Sequence, residues 1–275
     1  MVSSDGVGLA VLEAGDPAAP TVVLIHGYPS TKELWSGVIE HLAKRFHVIA
    51  YDVRGAGDSD APSGLEAYDL GQLGDDLLAV ADATAPGRRI HLVGHDWGGI
   101  QGWEFATEAR FRGRLASLTA IAAPSLDQVA ISGGSLARRG RVLQMLRRAW
   151  RSWYILVLVT PGGPTVMWRG LLATGRLGER GPALARDGIH GANLYRRNIP
   201  RRMLRPRTNA VAHVPVQLIV PSHDRYISES YYELAGECAP KLRRRTVEGS
   251  HWLPRTHPQL IARLIGEHVD EVDAP

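Results

Sequence analysis

Residues 92–99 constrain the fold of this chain more than any other segment. They read LVGHDWGG, so Asp96 lies at the centre of a G-x-D-x-G pattern. This spacing is typical of a sharp turn between a strand and a helix, because the flanking glycines leave room for a strained backbone while the central side chain projects from the top of a sheet. The pattern therefore predicts a strand just before Asp96 and a helix just after it.

The central residue of this turn is an aspartate, where a serine is more usual. A free aspartate has a pKa of about 3.9, so Asp96 is expected to be ionised at neutral pH without help from a base. A carboxylate in this position can attack an electrophilic carbon directly and form an ester that water then cleaves. Asp96 therefore points away from peptidases and ordinary esterases, toward enzymes that open carbon–oxygen or carbon–halogen bonds.

The composition is that of an ordinary globular protein. Of the 275 residues, 44% are hydrophobic and 22% are charged, which suits one large α/β domain with an inserted segment. Cys238 is the only cysteine, so no intrachain disulfide can form and a cytoplasmic location is expected. We find no signal-peptide pattern and no apolar run near the length of about 20 residues that a membrane span needs.

Short β-rich runs alternate with helical patterns, which predicts an α/β fold with a mostly parallel sheet flanked by helices. The expected strands cover residues 9–13, 21–25, 47–51, 89–93, 117–122, 216–220 and 243–247. The expected helices cover residues 32–44, 70–83, 98–110, 229–237 and 258–269. The alternation stops over residues 127–207, which are predicted to form a helical insertion in a core made of residues 1–126 and 208–275. Residues 270–275 are expected to be a frayed tail or a linker.

Two polar residues follow the late strands. Asp224 comes after the strand expected at 216–220, and His251 comes after the strand expected at 243–247. In this order an acid can hold the imidazole in the correct tautomer, and the histidine can activate water. Asp127 is the alternative acid, whereas His95 and His223 are expected to be packing residues.

The HGYP sequence at residues 26–29 follows the second expected strand. A glycine-containing turn there can aim backbone N–H groups at an oxyanion, and the N–H groups of Tyr28 and Trp97 are the expected donors. His26 is expected to stabilise this loop. We also expect His26, Pro29 and Trp252 to contact the substrate. By itself the HGYP sequence would only indicate a tight turn.

Residues 52–59 read DVRGAGDS and contain a G-x-G sequence. The segment has neither the third glycine of a dinucleotide-binding loop nor the lysine of a P-loop. We therefore expect no cofactor and no metal, and we interpret this segment as a tight loop held by Arg54 and Asp58.

Five motifs in order resemble the epoxide hydrolase branch of the α/β-hydrolase superfamily. They are HGYP at 26–29, DxRGxGxS at 52–59, GHDWGG at 94–99, HD at 223–224 and SHW at 250–252. The resemblance extends from about residue 5 to residue 270. It implies an α/β-hydrolase fold with a helical cap, residues 127–207, inserted after the sixth strand. It also implies an epoxide hydrolase that forms a vicinal diol through an aspartyl ester.

The same resemblance implies two cap tyrosines that act on the epoxide oxygen. The NLYR sequence around Tyr195 is close to the second family motif, and Tyr154 fits the first one less tightly. A tyrosine hydroxyl, with a pKa of about 10, is neutral near pH 7 and can donate a strong hydrogen bond to a nascent alkoxide. Each could also be a core or interface residue. Val159 and Thr160 replace the usual Phe-Gln, which leaves the substrate shape open.

Two other functions remain open from the sequence. A haloalkane or haloacid dehalogenase would use the same aspartate, and Trp97 could bind halide, but the HGYP loop lacks the asparagine that many dehalogenases place there. A catalytically idle hydrolase-like domain would be expected to lack a member of the triad, and none is missing. Tryptophans in the insertion favour a lipophilic epoxide substrate; they are Trp150, Trp153 and Trp168.

Arginines concentrate in two segments of a chain with a net charge of +4. They are Arg138, Arg139, Arg141, Arg147, Arg148 and Arg151, and then Arg196, Arg197, Arg201, Arg202, Arg205 and Arg207. The segments are interpreted either as solvated faces or as surfaces that attract anionic lipid or an acidic partner domain, which leaves peripheral membrane association open. No recognised motif supports nucleic-acid binding.

The chain also resembles the hydrolase part of actinobacterial proteins that join an epoxide-hydrolase-like domain to a short-chain dehydrogenase. This resemblance implies a partner domain beyond residue 275, and a homodimer also remains open.

Overall fold

A computed structural model describes residues 1–138, 140–141 and 152–274. A seven-stranded sheet with the spatial order β3-β5-β4-β6-β7-β8-β9 forms its centre, and β1 and β2 pair as a separate antiparallel ribbon. In the large sheet only β3 pairs antiparallel, to β5, and the other described pairings are parallel. The strands are β1 (Val2–Ser4), β2 (Val7–Leu9), β3 (Val11–Ala14), β4 (Thr21–Ile25), β5 (His47–Tyr51), β6 (Ile90–His95), β7 (Leu115–Ile121), β8 (Val216–Pro221) and β9 (Leu242–Val247).

The described α-helices are α1 (Ser36–Leu42), α2 (Leu70–Thr84), α3 (Trp97–Thr107), α4 (Leu126–Arg138), α5 (Trp153–Val159), α6 (Gly163–Ala173), α7 (Gly181–Leu204), α8 (Ala235–Cys238), α9 (Leu253–Thr256) and α10 (Pro258–Asp273). Short 3₁₀ helices are formed by Lys32–Trp35, Glu66–Tyr68, Ala109–Phe111 and Glu229–Tyr232. The predicted α/β class and the mostly parallel sheet flanked by helices are confirmed.

Successive side chains of a strand point to opposite faces of the sheet, and helices cover both faces of this sheet, so the side chains on each face are buried. In β4, Val23 and Ile25 join a hydrophobic cluster that includes residues of α2 and α3. Val22 and Leu24 of the same strand join a second cluster, which contains residues of α1 and α10. The continuous apolar runs of the sequence are therefore central parallel strands covered by helices.

The predicted strands at residues 21–25 and 47–51 are confirmed to the residue. The single strand expected at 9–13 is wrong, because a break between β2 and β3 sends β2 to the small ribbon and β3 to the main sheet. The single helix expected at 229–237 is also wrong: a 3₁₀ turn and the short helix α8 occupy this segment.

The expected frayed tail is mostly helical. Helix α10 continues to Asp273, and two contacts tie its end to the core. Arg45 binds Asp270 at 2.7 Å, and the His91 ring lies 3.2 Å from the Asp273 carboxylate. These tertiary contacts stabilise a last turn that the sequence pattern alone did not predict.

Helices α4–α7, which we call the inserted helices, lie between β7 and β8. They follow the seventh strand in chain order, β7, rather than the sixth strand that the resemblance implied. The division into core and cap at residues 127–207 stays a prediction. Within the described ranges no single helix is long and apolar enough to cross a membrane, although α5 and α6, bent by 111°, pass the same test of length and composition together.

The second arginine segment contacts acidic residues of the core. Arg197 and Arg201 both bind Asp69 on the loop before α2, at 2.9 and 2.8 Å. Arg202 and Arg207 bind the acidic cluster described below. These contacts favour the interpretation as a partly solvated, ion-paired face. Of the first segment, Arg139, Arg147, Arg148 and Arg151, together with Trp150, lie outside the described residues.

Asp127 belongs to a partly buried ion cluster with Glu104, Arg202 and Arg207. Arg202 Nη1 lies 2.8 Å from both Asp127 carboxylate oxygens, and Arg207 Nε and Nη2 lie 3.0 and 2.9 Å from Oδ2. Both arginines also bind Glu104. Asp127 is therefore not the acid partner of His251, because its carboxylate is fully engaged by arginines.

Replacement of Asp127 by alanine should destabilise the fold strongly. It leaves two arginines without their main carboxylate in a site where the Asp127 side chain is only 4% exposed. Loss of the sole partner from a buried pair costs about 3 to 5 kcal/mol, and this is an upper limit here because Glu104 still binds both arginines. Urea unfolding measures this loss. The matched control Asp82→Ala removes the 67% exposed partner of Arg114 and should cost less than about 1 kcal/mol; equal effects of the two variants would contradict this account.

Candidate active site

The turn between β6 and α3 holds Asp96 in a strained conformation. Its φ is 52° and its ψ is −119°, in a region that non-glycine residues rarely occupy. The flanking glycines are required by close packing. A Cβ on Gly94 would lie 2.2 Å from the Gly98 carbonyl oxygen, and a Cβ on Gly98 would lie 2.1 Å from that of Ile25. The turn predicted from the G-x-D-x-G spacing has formed, with the Asp96 side chain at the carboxyl end of the sheet.

Asp96, His251 and Asp224 form a chain of contacts. His251 Nδ1 lies 2.8 Å from Asp224 Oδ2, and His251 Nε2 lies 3.5 Å from Asp96 Oδ2. The other Asp224 oxygen accepts the backbone N–H groups of Tyr226 and Ile227 at 2.8 and 3.0 Å. All three side chains are buried. The three residues that the sequence placed after separate strands are therefore brought together.

Contacts among these three residues shift the pKa values of Asp96 and His251 in opposite directions. Burial alone would raise the pKa of Asp96, but the hydrogen bond and charge of His251, the nearby His95 and the Tyr28 N–H lower it below its usual value. Burial alone would lower the pKa of His251, yet its contacts with Asp224 and Asp96 raise it to about 9. At neutral pH an Asp96 carboxylate therefore faces a protonated His251 imidazolium.

The HGYP loop contacts the same carboxylate. A Cβ on Gly27 would lie 2.4 Å from the Asp96 Cβ, so the loop approaches as closely as only glycine permits. The Tyr28 N–H donates to Asp96 Oδ1 at 2.9 Å. Among the described residues no hydrogen bond joins the Trp97 N–H to this carboxylate. Tyr28 is thus seen at the expected donor position, and the role of Trp97 stays a prediction.

Tyr154 and Tyr195 come from two of the inserted helices, α5 and α7. The Tyr195 ring lies edge-on to Trp97 and Tyr28, with centroid distances of 4.8 and 5.1 Å. The Tyr154 ring lies 5.9 Å from that of Tyr226. Burial and then the charge of Asp96 raise the pKa of both tyrosines above the usual value. Both hydroxyls therefore remain protonated and lie within electrostatic reach of the carboxylate.

Three residues were expected to contact substrate, and these contacts stay predictions. His26 is buried, donates from Nδ1 to the Gly27 carbonyl and accepts the Val53 N–H at Nε2, so both ring nitrogens stabilise the loop. Trp252 packs edge-on against His251 at 5.2 Å, and it also packs against His95 and the cluster that contains residues of α1 and α10. Pro29 borders a cavity of about 20 Å³, large enough for little more than one water molecule.

Tyr226 was missed by the sequence analysis. Its ring lies edge-on to His251 at 5.0 Å and is 42% exposed, so it forms part of the outer boundary of the site. Its position two residues after Asp224 was the available signal.

The Tyr28 side chain makes contacts that the sequence analysis also missed. Its hydroxyl accepts a hydrogen bond from Trp168 Nε1 at 2.7 Å and donates one to the Gly188 carbonyl at 3.0 Å. The glycines at 188 and 191 of α7 were the available signal. No group of three or more His, Cys, Asp or Glu side chains suited to a metal ion occurs in the described part of the chain.

Comparison with known proteins identifies the family. The sequence profile of the alpha/beta hydrolase fold matches residues 20–258, which is most of the chain. The sheet order, the β6–α3 turn and the Asp96–His251–Asp224 arrangement agree with that match. The chain therefore belongs to the α/β-hydrolase fold family.

Two curated relatives come from Mycobacterium tuberculosis. The probable oxidoreductase EphD is 34% identical over 290 residues, which cover 98% of this chain and 49% of that protein. Epoxide hydrolase A is 38% identical over 132 residues, which cover 48% of this chain and 40% of that protein. The chain spans about half the length of the first of these relatives.

Solved structures share the fold over nearly the whole chain. An epoxide hydrolase mutant from Bacillus megaterium, complexed with its product (R)-3-[1]naphthyloxy-propane-1,2-diol, has a TM-score of 0.79 at 20% identity, with 98% of this chain and 99% of that chain covered. An epoxide hydrolase from Vigna radiata has a TM-score of 0.75 at 22% identity, with coverages of 98% and 96%.

Replacement of Asp96 by asparagine should lower the pKa of His251. The wild-type value of about 9 depends in part on the Asp96 charge and hydrogen bond, and the ordinary value is 6.5. The neutral amide removes that charge, so the imidazole should lose its proton at a lower pH. NMR titration of the His251 ring measures the shift, with His251→Gln to assign the signal. An unchanged pKa would show that Asp96 and His251 are not electrostatically coupled.

Proposed function

We propose that this chain is an epoxide hydrolase, which adds water to an epoxide and releases a vicinal diol through a covalent aspartyl ester. The observation that carries the proposal is the arrangement around Asp96. One carboxylate oxygen accepts the Tyr28 N–H, and the other faces His251. Two protonated tyrosines, Tyr154 and Tyr195, lie within reach of its charge. A nucleophile, a base for water and neutral hydroxyl donors are the groups that this reaction requires.

In the first step Asp96 Oδ2 attacks a ring carbon of the epoxide. The new carbon–oxygen bond forms the ester, and the ring carbon–oxygen bond breaks. The released oxygen accepts hydrogen bonds from Tyr154 and Tyr195 and takes a proton from one of them. That tyrosine then regains a proton as His251 loses one. Attack by Oδ2 fits the geometry, because Oδ1 is held by the Tyr28 N–H at 2.9 Å.

In the second step His251, oriented by Asp224, removes a proton from water that attacks the ester carbonyl. The N–H groups of Tyr28 and Trp97 stabilise the oxyanion. Collapse of this intermediate breaks the bond between the carbonyl carbon and the alkyl oxygen. The departing oxygen takes the proton back from His251, and the new carboxylic acid of Asp96 passes its own proton to the imidazole. The resting ion pair is thereby restored.

Esterification itself changes His251 from an acid to a base. The hydrogen bond and charge of Asp96 are among the causes of the high His251 pKa, and the ester carries no charge. Burial, which lowers this pKa, and the contact with Asp224, which raises it, both remain, so the ester lowers the pKa of His251 relative to the resting site. This downward shift favours the neutral imidazole, the protonation state that it needs in order to activate water.

We propose a lipophilic substrate. The support is the apolar surface that the inserted helices add: the buried Leu158 joins the hydrophobic cluster that contains Trp97 and Tyr195, and Trp168 is buried against Tyr28. Trp153 gives no such support, because its side chain is 59% exposed. A panel of epoxides with short and long chains measures this preference, and turnover of small polar epoxides alone would contradict it.

Dehalogenation is the second candidate, because it also begins with attack by an aspartate. Two observations favour an epoxide substrate over a halogenated one. The Trp97 ring is packed against Tyr195. The hydroxyls of Tyr154 and Tyr195 are both protonated near the nucleophile. Incubation of the chain with styrene oxide and, separately, with a haloalkane distinguishes the two. Diol without halide supports the proposal, halide without diol would identify a dehalogenase, and no product from any substrate would indicate an idle domain.

The other expected partners stay predictions. The longer relative EphD is a probable oxidoreductase, which supports the predicted dehydrogenase domain in addition to the hydrolase. Membrane association, a cytoplasmic location and a homodimer also stay predictions.

Replacement of His251 by glutamine should trap the ester. The ring-opening step needs Asp96, while hydrolysis of the ester needs the imidazole as a base. Intact-protein mass spectrometry of His251→Gln with styrene oxide should show an adduct equal in mass to one epoxide. The matched variant Asp96→Ala should form no adduct, and its turnover should fall by at least about a thousandfold. Multiple turnover by Asp96→Ala would refute the mechanism.

A further inference from the structure

We infer that the Tyr28 side chain is a positioning element that holds helix α7 against the core and so places the Tyr195 ring against Trp97, next to the nucleophile Asp96. This inference rests on the proposed function. It concerns the Tyr28 ring and hydroxyl, which are distinct from the backbone N–H already assigned to the oxyanion.

The hydroxyl of Tyr28 joins two of the inserted helices to the loop that contacts the nucleophile. It accepts from Trp168 Nε1 of α6 at 2.7 Å and donates to the Gly188 carbonyl of α7 at 3.0 Å. Because the hydroxyl is both a donor and an acceptor here, its orientation is fixed. The same residue donates its backbone N–H to Asp96 Oδ1, so one residue connects the carboxylate to both helices.

Helix α7 has a notch that receives these side chains. A Cβ on Gly188 would lie 2.1 Å from Trp168 Cε2, and a Cβ on Gly191 would lie 2.9 Å from Tyr28 Cδ2. Glycine is therefore needed at both positions for the two rings to approach the helix backbone. Glycine in a helix interior costs about 1 kcal/mol relative to alanine, which makes these two positions unfavourable for the helix itself.

The notch lies one helical turn from Tyr195. Gly191 and Tyr195 are four residues apart, so they face the same side of α7. The Tyr195 ring in turn lies 5.1 Å from the Tyr28 ring. The Tyr28 ring packed against Gly191 thus fixes how α7 is rotated and how far it lies from the HGYP loop, one turn before Tyr195. Loss of the hydroxyl removes the bonds to Trp168 and Gly188 while the backbone N–H remains.

Single-turnover kinetics of Tyr28→Phe tests this inference. We expect the ring-opening rate to fall by about three- to tenfold, which corresponds to the loss of one or two net hydrogen bonds. The rate of ester hydrolysis should stay at the wild-type value, because the Tyr28 N–H is retained. A merely structural role would lower the unfolding midpoint and slow both steps alike, and that result would overturn the inference.

Two further variants complete the design. Trp168→Phe should slow ring opening similarly, and the double variant should be no slower than the slower single variant, because both remove one shared link. Tyr51→Phe is the matched control: its buried hydroxyl at the end of β5 has no hydrogen-bond partner among the described residues, and its kinetics should match wild type. Strictly multiplicative effects of the Tyr28 and Trp168 variants would overturn the inference.

Amide hydrogen exchange gives a readout that does not need activity. Tyr28→Phe should speed exchange at residues 188–195 relative to Tyr51→Phe, and unchanged exchange there would overturn the inference. Absence of turnover by the wild-type chain would instead refute the proposed function, so the two failures are distinguishable.

Discussion

Two turns meet at the Asp96 carboxylate, and the rest of the site depends on that contact. The elbow after β6 holds Asp96 at a φ of 52°, and Gly27 approaches so closely that a Cβ there would lie 2.4 Å from the Asp96 Cβ. Burial of a charge is costly unless the charge is paired, and here the Tyr28 N–H and the His251 imidazolium provide the pairing. The same pairing accounts for the proposed chemistry, since it keeps the nucleophile ionised and releases the imidazole once the charge is consumed.

Helix α7, one of the inserted helices, is joined to the core by contacts that begin next to this site. The Gly188 carbonyl accepts the Tyr28 hydroxyl, and the Asn198 side chain bonds the Leu70 N–H and the Tyr68 carbonyl at 3.1 and 2.8 Å. Further along, Arg202 enters the ion cluster with Asp127. Together with Tyr195 these residues recur at intervals of seven, three and four, so they share one face of the helix. One face of α7 is thus held by directional contacts along most of its length, which is a suitable support for a hydroxyl that must meet a reacting oxygen.

The sequence predicted the parts of this molecule that depend on local patterns. The apolar runs of β4 and β5 and the G-x-D-x-G turn are of this kind, and chain order was enough to pair Asp224 with His251. Contacts between distant segments were not predictable in the same way. Asp127 remained an alternative to Asp224 as the acid until Arg202 and Arg207 were seen to bind it. Helix α10 extends further than predicted because the core binds Asp270 and Asp273. The Tyr28 contacts with Trp168 and Gly188 belong to the same class, because no local pattern specifies which helix a loop tyrosine will meet.

The central claim is that Asp96 forms an ester whose carbonyl carbon is attacked by water. A single turnover of styrene oxide in heavy-oxygen water, with excess enzyme, tests this claim most directly. The account predicts that one heavy oxygen atom enters the Asp96 carboxylate, detectable by mass spectrometry of the peptide that contains it, while the diol released in that turnover carries none. A labelled diol with an unlabelled Asp96 would mean that water attacks the epoxide itself, and it would contradict the account.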